Sequence, residues 1–119
     1  MPVRRLKTYT AESGFVYQYY FVGQRRAVDG SSATEYVFDV TSDRSRTIVA
    51  VSVFIEDSAL SHWAAAHGRE LSETERYATA KLCLQNGLDR VEDLTKDGRR
   101  MKVTPEEIEV LLEPLGLDR

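Results

Sequence analysis

The chain predicts an α+β fold, a three- to four-stranded antiparallel meander at the N-terminus followed by two to three helices packed on the sheet. Three observations lead there. As far as Ile55 the apolar residues recur with a period of two and are rich in Val, Ile, Tyr and Phe, which suits a pleated surface. From Glu56 onward the period lengthens to about 3.6, and it changes only once. The connections between the N-terminal runs are short and turn-like, which favours antiparallel neighbours.

In chain order, Arg4 to Thr10 alternates polar residues with Leu6 and reads as an edge strand that pairs across the Ala11-Glu12-Ser13-Gly14 turn. Gly14 to Gly23 is almost wholly aromatic and β-branched. Alternation places Phe15, Tyr17, Tyr19 and Phe21 on one face and Val16, Gln18, Tyr20 and Val22 on the other. Both faces are largely apolar, so the strand belongs in the middle of the sheet. The Asp29-Gly30-Ser31-Ser32 turn leads to a strand with Tyr36, Phe38 and Val40 on its buried face. After Ser42-Asp43-Arg44-Ser45 comes the β-branched run Thr47 to Ile55, so the sheet spans residues 4–55.

Helices are expected over about 58–67, 73–94 and 105–112. The first carries Leu60, Trp63 and Ala64 on one stripe and ends at Gly68, where a left-handed residue stops a helix. The second opens on Ser72-Glu73-Thr74-Glu75, a capping box. Its stripe is Tyr77, Ala80, Leu84, Leu88 and Val91, with Thr79, Asn86, Asp89 and Asp93 opposite. Gly87 lies beside the stripe and calls for close packing or a bend, and Leu82 projects off it toward a second contact. Thr95 to Lys102 reads as a charged linker. Thr104-Pro105-Glu106-Glu107 then gives a cap, a proline at the first helical position and a box glutamate, and Pro114 ends the helix.

With 119 residues, 42% hydrophobic and 29% charged, residues 1–119 are expected to form a single domain around one core. The N-terminal basic residues are not followed by an apolar run, and no stretch approaches the roughly 18 apolar residues of a membrane span. Cys83 is the only cysteine, which leaves no intrachain disulfide and suits a reducing cytoplasm. Seven Lys/Arg face five Asp/Glu in residues 1–50, and nine face fourteen in residues 51–119. That bias is too weak for a surface that tracks phosphates, which argues against nucleic acid as partner.

No cofactor motif is present, and no metal site is expected. His62 and His67 are five residues apart on one helix, about 140° around it, whereas histidine pairs that bind metal from one helix are three or four apart. Cys83 sits in mid-helix, away from the terminal dipole that lowers a thiol pKa, and reads as a small apolar residue. Asp39, within a strand, is expected to face outward. The aromatic strand supplies the candidate ligand site: Tyr17, Tyr19 and Tyr20 combine apolar rings with polar tips, and Arg25 and Arg26 follow with charges suited to phosphate or carboxylate. Leu82, Leu115 and Leu117 supply candidate interface residues.

Three functions fit these residues. The foremost is a non-catalytic interaction or assembly domain that self-associates as a homodimer or meets another protein. The alternatives are a small-ligand-binding protein or enzyme with a tyrosine-lined pocket, and nucleic-acid binding through the aromatic strand. The homodimer expectation rests on apolar groups that one layer of helices leaves uncovered.

Overall fold

The computed structural model describes residues 5–43, 45–91, 93–94, 96 and 98–116. The N-terminal half is the expected meander: β1 (Lys7–Thr10), β2 (Val16–Arg26), β3 (Ala33–Ser42) and β4 (Ser45–Glu56). Each pairs antiparallel with the next, with Tyr19 opposite Val40 and Phe38 opposite Val51. Three helices follow, α1 (Asp57–His67), α2 (Glu73–Arg90) and α3 (Pro105–Leu112), the last running into a 3-10 turn at Glu113–Leu115.

Between α2 and α3 the structure adds a strand where a linker was expected. This is β5 (Arg100–Val103), which joins the far side of β4 in parallel, Ser52 opposite Arg100 and Ile55 opposite Val103, and gives the order β1-β2-β3-β4-β5. Its alternation turns Met101 and Val103 inward and Arg100 and Lys102 outward, and such charges are well tolerated on an edge strand. The sheet is therefore mostly antiparallel, with one parallel edge.

One face of the sheet makes the core. Tyr17, Tyr19, Tyr36, Phe38, Val40, Val49, Val51, Val53 and Ile55 pack in one continuous cluster with Ala59 and Trp63 of α1, Ala80, Leu84 and Leu88 of α2, and Ile108 and Leu112 of α3. Rings from β2, β3 and α2 meet along its edge, half-buried Phe21 lying 5.5 Å from buried Phe38 and 5.1 Å from half-buried Tyr77. Tyr9 of the edge strand donates its hydroxyl to both carboxylate oxygens of Asp89, at 2.9 and 2.8 Å, and Asp89 also accepts from the Glu12 amide. One aspartate thus ties the end of α2 to β1 and to the turn after it.

Among the described residues the opposite face carries no helix, and cross-strand polar pairs run over it. A bulge at Val22 shifts the register between Phe21 and Gly23 and so aims Arg25 across at Glu35. Glu35 is only 5% exposed, and it accepts from Arg25 Nε at 2.9 Å and Ser52 Oγ at 2.6 Å. These two donors hold its carboxyl below the usual range, the Arg25 hydrogen bond most of all. Tyr20 donates to Asp39 at 2.9 Å, and the Arg100 guanidinium lies over the Phe54 ring at 4.5 Å while bonding Asp29 at 2.8 Å. The apolar excess expected on this face is largely dressed by these partners, with Ile48, 61% exposed, the main exception.

The helix signals act as local chemistry requires, with three differences. Gly68 adopts φ 72° and ψ 15° and returns its amide to Ala64. The Ser72–Glu75 box is complete, and Arg69 grips the same glutamate at 2.8 and 2.9 Å, holding its carboxyl down at about 2. α2, however, ends at Arg90: Val91 turns extended, and Leu94 reaches the core from beyond the helix. Thr104 caps α3 only through its carbonyl, which accepts from Glu107 and Ile108, because its hydroxyl makes no cap bond. Thr79 is buried, since it continues the row of Leu82, Cys83, Asn86 and Arg90 that faces the neighbouring helix α3. Among the described residues no helix is long and apolar enough to cross a membrane.

Candidate functional site

The residues singled out on the aromatic strand are not brought together. Tyr17 and Tyr19 lie beneath the helices as core, and Tyr19 accepts a hydrogen bond from Gln85 at 3.1 Å. Burial raises both phenols. Tyr20 and Arg25 stand on the other face, paired with Asp39 and Glu35. Arg26, at the end of β2, clamps the start of α1 through two bonds to Asp57, at 3.0 and 2.7 Å, and a third to Thr34. All three polar members are thus occupied with structural partners.

The candidate histidines separate as their spacing predicts. His62 is exposed. His67 stacks on Trp63, with ring centroids 4.1 Å apart and planes 15° from parallel, and bonds Glu109 at 2.7 Å, bridging α1 to α3. Among the described residues no three His, Cys, Asp or Glu side chains gather as metal ligands would.

The helical layer supplies a better site. α2, β5 and α3 enclose an open cleft of about 650 Å³. Its α2 wall is Leu82, Cys83, Asn86, Gly87 and Arg90; Met101 and Lys102 of β5 form the floor; and Glu106, Glu107, Val110, Leu111 and Pro114 make the α3 wall. The lining mixes apolar side chains, Leu82, Met101, Val110 and Leu111, with the polar Asn86, Arg90, Glu106 and Glu107. Val110, at its lip, is 71% exposed, and Leu115, just beyond Pro114, is 38% exposed. Leu82, the leucine that projects off the core stripe of α2, therefore faces a groove. Leu117 lies outside the described residues.

Gly87 shapes that floor. A Cβ there would run into the Met101 thioether, so the glycine lets β5 tuck its methionine against α2, which is the close packing that offsets the helix-weakening residue. Off-stripe Leu82 and Gly87 were the sequence signals for this wall. Arg90, Met101 and the acidic pair on α3 were not visible as a group, because only β5 brings them together.

Cys83 is part of the cleft wall, and its surroundings disfavour the thiolate. Burial pushes the thiol up to about 12, with the Glu107 charge adding to the effect. At pH 8 the thiolate population should be about a thousandfold below that of an ordinary cysteine. Alkylation by iodoacetamide is therefore expected to be slow in the folded protein and rapid in urea. Equal rates in the two states would show that the thiol is not held in its buried environment.

A smaller cavity of about 180 Å³ lies between the Asp29–Ser31 turn and β5. Its charges are matched, Arg100 with Asp29 at 2.8 Å and Lys102 with Glu56 at 3.8 Å. No protein-family model, curated protein or solved structure matches this chain.

Proposed function

We propose that the chain is a non-catalytic assembly domain that associates with a second copy of itself, in a reducing compartment suited to its lone cysteine. The observation that supports this reading is the concentration of uncovered apolar side chains on the helical layer, where half-buried Leu82 and Leu111 sit beside exposed Val110 and Leu115. The open face of the sheet contributes less than its sequence suggested, since Tyr20, Arg25, Phe54 and Arg100 are engaged there with neighbours. Exposed apolar side chains gathered beside a cleft mark an interaction surface, and two-fold pairs of identical surfaces are the commonest way to cover one.

Light scattering at micromolar concentration tests it. The expected mass is about twice the 13.5 kDa of one chain. A mass that stays at that of one chain on concentrating would remove the self-association reading.

A further inference from the structure

We infer that the second copy docks in the α2–β5–α3 cleft, the two chains exchanging the Val110 side of α3 about a two-fold axis; this rests on the self-association reading and names its surface. The first support is shape. Val110 projects at the lip of a cleft of about 650 Å³ that passes over Leu82 and Met101. Knob and hole lie side by side on one chain, so a two-fold rotation seats each knob in the other chain's hole.

The second support is charge. The α2 wall carries Arg90, while the α3 wall carries Glu106 and Glu107. All three are exposed, and none of them makes an ion pair among the described residues. Lys102 turns its side chain away to the other face of the sheet, where it reaches Glu56 at 3.8 Å. Reciprocal docking brings the acidic wall of each copy onto the Arg90 wall of the other, twice per dimer. A single patch therefore holds both halves of a complementary pair, which fits a second copy better than an unrelated partner of one charge. Charges so placed fix register and orientation more than they add affinity.

A charge swap decides the matter. Arg90→Glu alone sets carboxylates against carboxylates at both contacts, and the double change Glu106→Lys with Glu107→Lys sets cations against Arg90. Each variant alone is expected to dissociate at least about tenfold more readily than the unaltered chain. Mixed in equal amounts they are expected to recover the dimer, because in the mixed pair both contacts again join opposite charges. Recovery should weaken in high salt. If both variants dimerise as well as the unaltered chain, self-association stands and the cleft is the wrong surface. If each is monomeric and the mixture is too, with far-UV circular dichroism showing both folded, the reciprocal contact is wrong. An unaltered chain that is itself monomeric overturns both the reading and the surface. Hydrogen exchange on the unaltered chain gives an answer that does not depend on the variants: residues 105–112 should gain protection as the protein is concentrated, and unchanged exchange there alongside a dimer mass would overturn the cleft.

Discussion

Phe38→Ala is expected to destabilise the fold by about 3–5 kcal/mol, the usual cost of deleting a buried ring. Phe38 is 0% exposed, and its ring stands 6.1 Å from Tyr19, 5.5 Å from Phe21 and 6.3 Å from Tyr77. It is the point where β2, β3 and α2 meet, so its removal leaves a cavity lined by three rings. Against a total stability of about 5–15 kcal/mol for a domain of this size, the loss is a large fraction. In urea, with a slope of about 1–3 kcal/mol/M, the midpoint should fall by roughly 2 M. Phe38→Leu should cost much less, since most of the volume remains. A fall of less than about 0.3 M for the alanine variant would mean that the ring layer does not carry the core.

Trp63→Ala should cost a similar amount by a different route. Trp63 is 1% exposed, on the inner side of α1, and it supports more than the core. His67 stacks on it, Arg69 lies over it at 5.1 Å, and the same His67 holds Glu109 of α3. Losing the indole removes the surface against which the histidine is set, so α1 loosens from the sheet and from α3 together. About 3–5 kcal/mol of lost packing corresponds to a fall in Tm of about 12–20 °C for a chain of this length. Thermal unfolding followed by circular dichroism measures it. A Tm within about 3 °C of the unaltered protein would show that α1 is held by other contacts.

What could be read from the sequence was what neighbouring residues decide. The alternation in Tyr36, Phe38 and Val40 named their face correctly, and Gly68 and the Ser72–Glu75 box marked their helix ends, because each rests on bonds within a few residues. Strand β5 was hidden for the opposite reason: four residues with two inward apolar groups look like any charged linker, and their partner, Ser52–Ile55, lies far back along the chain. Val91 and Leu94 keep a helical spacing, and the core takes them whether or not the helix continues, so the end of α2 at Arg90 left no trace. The aromatic strand posed a choice rather than a signal. Both of its faces are apolar, and only the docking of α2 decided that Tyr17 and Tyr19 would be core and Tyr20 would face outward. The cleft was legible only through Leu82 and Gly87 of α2, since its other walls come from β5 and α3.

The parallel edge also sets an order of events. β1 to β4 close through short turns, whereas β5 cannot find β4 until the whole of α1 and α2 has been laid across the sheet, a loop closure that carries an entropic cost before any contact rewards it. β5 and α3 are therefore expected to dock last, after the meander has closed its own ladders, although Val103, Ile108 and Leu112 then join the common core. They are also the floor and one wall of the cleft. On the self-association proposed above, a second copy bound in the cleft would act as a latch: by mass action it would withdraw any state with β5 and α3 detached and lend the final strand a stability that its four residues do not have alone.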